Sequence, residues 1–375
     1  MSIIEKLSDV NSSISVKSIF LVTGNRSYDQ SGAKEAIRSA FPEAEITRFS
    51  AFQVNPQIHE VAEGTALYEE KTYDLMIAVG GGSALDVAKG IRFSAFQEQL
   101  VLDILTGKVV VKQISKTPML AVPTTAGSGS EATPYSVLYY EQQKYTTADS
   151  ALLPDFVYLD GSLTLSLPKY VTAYTGIDAL VQGVEAFWAV DTNEEAQFFA
   201  KQAISLTLKH LKDSVDYGRV EDRTQMLKAA YYSGKAIAIT KTTAAHAFSY
   251  YLSTHHKIPH GQAVGLLLIP CMLFNEGVTE QDVSDPRGVG YVKQMLQELY
   301  NLFGEENVQG AVRVVVSLMK DLDLYRPIRE IVVSPEEHRD FIQDVNIDRL
   351  GNNPRLFTKN TVIEFNQLIF SAIWS

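Results

Sequence analysis

The sequence predicts a Rossmann-like α/β domain over residues 1–162 followed by an all-helical domain over residues 163–375. Three observations carry this. Short β-rich runs alternate with helical patterns from residue 17 to 160, which is how a parallel sheet flanked by helices reads. The texture turns wholly helical after Pro168. Two glycine- and hydroxyl-rich segments each follow directly on a predicted strand. The predicted strands are Ser18–Thr23, Glu45–Phe49, Leu75–Val79, Met119–Val122 and Phe156–Leu159. Helices are expected at Gly32–Ala40, Pro56–Glu70 and Ser83–Phe93 between them. Nine more follow: Lys169–Val190, Glu194–Tyr217, Asp222–Ile239, Ala244–Ser253, Val264–Leu273, Val292–Phe303, Val308–Leu322, Glu336–Val345 and Thr361–Ile373. No flexible linker marks the boundary, so the two domains are expected to pack around a shared cleft, where ligand sites concentrate.

Composition narrows the function. A chain of 375 residues, 46% hydrophobic, is long enough for two cores, and its charge of −11 with no Lys/Arg-rich run excludes nucleic acid as a partner. The single cysteine, Cys271, lies in an apolar run and reads as a small buried hydrophobe. The first residues lack a basic segment followed by an apolar one, so no signal peptide is read. The most apolar stretch, Ala263–Phe274, contains Pro270 and is shorter than the ~20 residues a membrane span needs. A cytoplasmic protein without membrane association is expected.

Gly80-Gly81-Gly82-Ser83 follows the run DLMIAV and opens the helix ALDVAKGIRF. Glycines let the backbone approach a pyrophosphate, and the N–H groups and dipole of the new helix attract its charge. The GxGxxG spacing of the common dinucleotide fold is absent, so a different nucleotide-binding lineage or an ordinary tight turn remain open on this run alone. The second segment, Pro123–Glu131 (PTTAGSGSE), interleaves small hydroxyls with glycine and suits phosphate, ribose or carboxamide. In the helical half, Asp178 and Gln182 stand one turn apart on one helix face, and four of the seven histidines fall between His246 and His260. One carboxylate, one amide oxygen and two imidazoles can hold a divalent ion. Read alone, each of these side chains equally suits a local structural role.

Taken together, NPQIHEVAEG, GGGSALDVAKG, PTTAGSGSEAT, LLPDFVYLD, TGIDALVQGVEAFWA, HAFSYYLSTHHKIPHG and NNPR are similar to the motifs of the iron-dependent (group III) alcohol dehydrogenase family, over Ile19 to the end. The resemblance implies that family's fold, shared with dehydroquinate synthase, and a metal-dependent transfer of hydride between NAD(P)H and a small aldehyde or alcohol. It implies Asp178, Gln182, His246 and His260 as metal ligands for Fe2+, with Zn2+ or another divalent ion as alternatives. Gln182 stands where the family pattern has histidine; its amide oxygen is a harder, weaker ligand. Tyr250 replaces a further histidine that many members place near substrate, and is a candidate for proton transfer beside Asp178, His246 and His260.

The resemblance also assigns Gly80, Gly81, Gly82 and Ser83 to the pyrophosphate, Thr124, Thr125 and Ser128 to phosphate and nicotinamide, Lys144 to the ribose and Asp86 to the nicotinamide side. After the first strand, Gly24 and Asn25 lack the Asp that in many relatives holds the adenosine ribose; with Arg26 nearby, this tolerates or favours NADP(H). The chain begins close to that strand, without the N-terminal segment many relatives use for pairing, which leaves a homodimer open. Several stretches look like the subgroup that reduces phosphonoacetaldehyde to 2-hydroxyethylphosphonate, implying an anionic aldehyde with Arg92, Lys241 and Arg355 as candidate anchors. Glycerol-phosphate dehydrogenase or dehydroquinate synthase chemistry, and a catalytically silent nucleotide-binding protein, are the alternatives.

Overall fold

The computed structural model describes the chain apart from residues 112–113, 142, 344, 346 and 371–375. It falls into two compact units, Met1–Leu167 with Arg219–Tyr231, and Pro168–Gly218 with Tyr232–Ser375.

The first unit is built on strands β1 (Ser2–Ile4), β2 (Ser18–Thr23), β3 (Glu45–Phe49), β4 (Leu75–Gly80), β5 (Met119–Pro123), β6 (Tyr135–Tyr140), β7 (Gln143–Ala148) and β8 (Phe156–Tyr158). Six of them form a parallel sheet in the order β1-β8-β5-β4-β2-β3. Strands β4 and β5 are buried along their whole length, which explains why they read as continuous apolar runs. Edge strand β3 carries the exposed charge of Glu45, which resists further pairing. One sheet face, through Ile19, Leu21, Ile77, Val79, Leu120 and Val122, packs on Leu7, Val10, Ile37 and Phe41. Chain order reverses direction at β2, whose neighbours are β3 and β4, so the carboxyl ends of β2 and β4 flank a topological switch point.

Besides the short helices Leu7–Ile14, Ser27–Gln30 and Val101–Leu105, two β features of this unit were not foreseen. Strand β1, three residues long, pairs in parallel with β8. Strands β6 and β7 form a separate antiparallel hairpin. The hairpin rests on the helix Gly82–Ser94 at Gly90, where a Cβ would stand 3.3 Å from Leu138 Cδ1.

The second unit is helical. Helix Lys169–Trp188 is buried on nearly every side from Thr172 onward, as is His260–Glu276, so neither shows the amphipathic stripe of a surface helix. Close approach is made possible by glycine: a Cβ at Gly176 would stand 2.2 Å from Leu211 Cδ1 on the helix Glu194–Asp216. The predicted helix Val264–Leu273 extends back to His260, and Pro270 lies inside it. The helices predicted at Glu336–Val345 and Thr361–Ile373 run over Pro335–Gln343 and Lys359–Phe370; residues 344 and 371–373 of those predictions lie outside the described residues. No helix among the described residues is long and apolar enough to cross a membrane.

Arg355, expected as a substrate anchor, is instead a hub of this core. Its Nε donates to Asp282 Oδ2 at 2.9 Å, its two Nη atoms donate to Glu364 at 2.9 and 2.7 Å, and Nη1 also reaches Phe274 O at 2.8 Å. The guanidinium lies 4.5 Å above the Phe274 ring and is 5% exposed, with four of its five N–H directions committed to the fold. Arg355→Met, which keeps the stem and removes the charge, is expected to cost about 3 kcal/mol by leaving Asp282 without its buried partner. Urea denaturation measures this, and a loss under ~1 kcal/mol would contradict the hub role.

Candidate metal centre and cofactor loops

Helix Lys169–Trp188 presents Asp178, helix Ala244–His255 presents His246 in its first turn, and helix His260–Glu276 begins with His260. Asp178 Oδ1 lies 3.3 Å from His246 Nε2 and 3.9 Å from His260 Nε2, and the three ligand atoms are all within 4.8 Å of one another. Donors at about 2.0–2.2 Å from one ion stand roughly 3–3.6 Å apart, so a small closure brings these atoms to ligand distances. His246 Nε2 is buried and lacks a well-formed hydrogen bond. Such an atom, aimed at a carboxylate and a second imidazole, suits a metal.

Glu185, about two helical turns along from Asp178, is the residue that sequence reading missed. It is fully buried, yet accepts from Thr243 Oγ1 at 2.8 Å, Ala245 N at 2.7 Å and His246 N at 3.3 Å, capping the start of the helix Ala244–His255. Its other oxygen takes His246 Nδ1 at 2.5 Å, which fixes the imidazole with Nε2 directed at Asp178. Burial alone would raise the Glu185 pKa, but His246 and the surrounding donors hold it below its usual value. For His246, burial works downward, and the charge of Glu185 together with Asp178 overrides it and pushes the pKa up to about 10. The pocket therefore demands positive charge, which a divalent cation supplies in place of that proton.

Gly261 is what lets His260 reach this place. A Cβ there would stand 1.8 Å from Tyr174 O and 3.2 Å from Asp178 Cβ, so any other residue pushes the helix start off Lys169–Trp188. Gln182, one turn beyond Asp178, is buried and accepts from Ser233 Oγ at 2.8 Å through its side-chain oxygen. Tyr250 stacks near His260 at 6.2 Å between ring centroids, one turn along from His246.

In the first unit, the two glycine-bearing turns lie side by side at the carboxyl ends of β4 and β5. Thr124 N donates to Gly80 O at 2.9 Å. A Cβ on Gly81 would stand 3.0 Å from Thr125 Oγ1, and one on Gly82 would stand 2.8 Å from Ser128 Oγ. Helix Gly82–Ser94 carries no acidic residue in its first turn, so its N-terminal dipole faces outward uncompensated near Ser83. Thr125 and Ser128 are accessible, whereas Thr124 is buried and its hydroxyl has no hydrogen-bond partner among the described residues. Thr124 thus contributes its N–H to the turn rather than a surface hydroxyl.

Beneath these turns, Lys89 is buried, its Nζ donating to the carbonyls of Ser130, Thr133 and Tyr135 at 2.6, 2.9 and 2.8 Å. Burial lowers its pKa to about 8 against the pull of Asp86 and Glu131. Asp86 accepts from Ser130 Oγ at 2.7 Å; burial raises its pKa, with Lys89, Ser130 and, more weakly, Lys144 acting against it. Glu131 is buried with one oxygen lacking a partner, and burial raises its pKa to about 7.

Arg92, a second expected substrate anchor, is also structural: it pairs with Asp155 at 2.9 Å, donates to Ala151 O at 2.8 Å and is buried. Lys241 is exposed, just past the end of the helix Val220–Thr240. Asn25 and Arg26 are exposed at the end of β2; the cation in contact with Gly24 is Arg48, which sequence reading did not single out.

A parallel sheet with nucleotide-type turns and a helical unit gathering Asp178, His246 and His260 define a metal-associated oxidoreductase. Residues 2–161 match the family described as iron-containing alcohol dehydrogenase, and residues 172–370 match its C-terminal region; the chain belongs to this family. It is 31% identical over 313 residues to a probable alcohol dehydrogenase, EutG, of Salmonella typhimurium, covering 82% of this chain and 76% of the relative. Phosphonoacetaldehyde reductase of Streptomyces viridochromogenes is 31% identical over 250 residues, covering 64% of this chain and 63% of the relative. The crystal structure of sulfoacetaldehyde reductase from Bifidobacterium kashiwanohense in complex with NAD+ superposes with a TM-score of 0.86 at 26% identity, covering 99% of this chain and 96% of that one. The protein is an oxidoreductase of the iron-type alcohol dehydrogenase family, acting on aldehydes or alcohols with a nicotinamide cofactor.

Glu185→Gln keeps the shape of the cap but removes its charge, and is expected to weaken divalent-metal affinity about 10–100-fold in calorimetric titration of metal-stripped protein. A change below ~2-fold would exclude the orienting role. Glu131 generates a pH dependence. Its folded pKa of about 7 lies above the usual 4.5, so the folded protein holds the extra proton between these values and Glu131's contribution is lost as pH rises through 7. Glu131→Gln is expected to gain on the parent by roughly 1–3 kcal/mol between pH 5 and 7.5, read from paired denaturation curves.

Proposed function

We propose that the chain reduces a small anionic aldehyde, with phosphonoacetaldehyde and its sulfonate analogue as the leading substrates, using NADPH in preference to NADH and a divalent ion, iron first. The observation that carries the metal part is the convergence of Asp178, His246 and His260 around a buried, poorly bonded imidazole nitrogen. The substrate class is supported by the resemblance to two proteins named for short anionic aldehydes.

Asp178, His246 and His260 hold the ion, and Gln182 is the fourth donor; the mixed N/O set suits Fe2+ or Zn2+. When bound, a divalent cation polarises a carbonyl and stabilises the negative charge that hydride transfer leaves on its oxygen. Glu185 keeps His246 in the tautomer that leaves Nε2 free to coordinate. Gly80, Gly81, Gly82 and Ser83 seat the pyrophosphate against the helix N-terminus, Thr125 and Ser128 lie across from it, and Asp86 and Lys144 stand beside them. Tyr250 offers a hydroxyl as proton donor to the product oxygen, alongside water and the cofactor ribose. With Arg92 and Arg355 committed internally, Lys241 is the remaining candidate of the three for the anionic end of the substrate.

The test measures bound metal, then follows NADPH and NADH oxidation with phosphonoacetaldehyde, sulfoacetaldehyde, glycolaldehyde and butanal. The anionic aldehydes are expected to give at least ~10-fold higher kcat/KM than butanal, a difference of about 1.4 kcal/mol in transition-state binding. Asp178→Ala should lose both metal and turnover while still binding nucleotide. Metal-loaded protein inactive on every aldehyde overturns the reductase reading, and activity that survives Asp178→Ala overturns the metal assignment.

A further inference from the structure

Arg48 is the penultimate residue of strand β3, in register with Leu21 of β2, and its guanidinium reaches across the carboxyl end of β2. Its Nε donates to the buried Thr23 Oγ1 at 2.8 Å, and the group lies 4.6 Å over the Tyr28 ring. These two contacts fix the plane of the fork. The outer nitrogens are held loosely by comparison: Nη2 faces Gly24 O and Nη1 faces Asp29 Oδ2, each at 3.4 Å. Asp29 is well exposed and divided between Arg48 and Lys34, the latter at 3.5 Å, so water screens its hold on the guanidinium. A rigid fork with its outer edge weakly engaged is prepared for a doubly charged oxyanion.

The position says which oxyanion. Gly24 N donates to Val79 O at 3.4 Å, and a Cβ on Gly80 would stand 3.6 Å from Ser27 Oγ and 3.7 Å from Gly24 N. The turn after β2 therefore touches the turn that seats the pyrophosphate, across the switch point of the sheet. In parallel nucleotide-binding sheets the adenosine ribose lies over the strand end next to the phosphate turn, where an acidic side chain holds the 2′-hydroxyl and repels a 2′-phosphate. Here that strand end carries Gly24, with no side chain, and Arg48 stands over it.

We propose that Arg48 reads the 2′ position of the adenosine ribose, binding the 2′-phosphate of NADP(H) in the space that Gly24 leaves. This rests on the cofactor reading above and names the residue that sets its preference. It reassigns to Arg48 the role that Arg26 held on sequence grounds.

The experiment titrates the metal-loaded protein with ADP-ribose and with 2′-phospho-ADP-ribose by calorimetry, for the parent, Arg48→Ala and Arg48→Lys. The parent is expected to bind the phosphorylated ligand about 10-fold or more tightly over ADP-ribose; Arg48→Ala should lose roughly 10–100-fold for it and less than ~2-fold for ADP-ribose, with Arg48→Lys between. In steady-state kinetics the effect should fall on the KM for NADPH and spare kcat. Equal weakening of both ligands would assign Arg48 a structural role, and no weakening would dismiss it; either overturns the proposal while ADP-ribose binding keeps the nucleotide reading intact. Failure of the parent to bind either ligand overturns the nucleotide reading itself. If Arg48→Ala does not fold, Gly24→Asp combined with Ser27→Ala serves instead, because a Cβ at position 24 would stand 2.8 Å from Ser27 Oγ. That variant keeps Arg48 and should invert the preference toward ADP-ribose; an unchanged preference overturns the proposal.

Discussion

A buried carboxylate holds the helical unit to its chemistry. Glu185 has no contact with solvent, and its two oxygens gather one hydroxyl, two backbone N–H groups and one imidazole from the segment Thr243–His246. Thr243 in turn accepts from the buried Trp188 indole at 2.9 Å, so the start of the helix Ala244–His255 is tied to the helix Lys169–Trp188 at two points. Without that anchor, His246 would have neither a fixed tautomer nor a fixed direction, and Asp178 would face an imidazole free to rotate. The start of one helix and the orientation of a metal-capable side chain are thus a single electrostatic fact.

A second constraint is close approach. Gly81 and Gly82 lie against Thr125 and Ser128, and Gly261 lies against the Tyr174 carbonyl, at separations that leave no room for a methyl group. The same substitution has two effects: it strains packing, and it moves a functional group. At Gly261 the displaced group is His260, and at Gly81–Gly82 it is the N-terminus of the helix that would meet a pyrophosphate.

The five strands of the parallel sheet other than β1 were legible to within a residue because each is a short apolar or β-branched run closed by glycine, proline or a polar turn. The nine C-terminal helices were legible from their spacing. Strand β1 escaped because three residues, two of them exposed, carry no pattern. The hairpin of β6 and β7 escaped because it rests on a neighbouring helix rather than joining the main sheet. Among site residues, chemistry was readable but partnership was not. Arg92 looked like a free cation because its carboxylate, Asp155, lies 63 residues away, and Arg355 because its buried partner Asp282 lies 73 residues away, with only Glu364 near in the chain. Glu185 looked like one polar residue in an apolar helix because every donor that uses it comes from about sixty residues downstream. Arg48 was not singled out because nothing local reveals that it reaches Gly24.

Lys89 fixes how the first unit can move. Its ammonium clasps three carbonyls spread over six residues of one loop, from a position in the middle of the helix that follows the other. Both glycine-bearing turns therefore belong to one block, and neither can open alone without stranding a buried charge. A ligand meeting these turns would find a surface whose ordering entropy was already spent in folding.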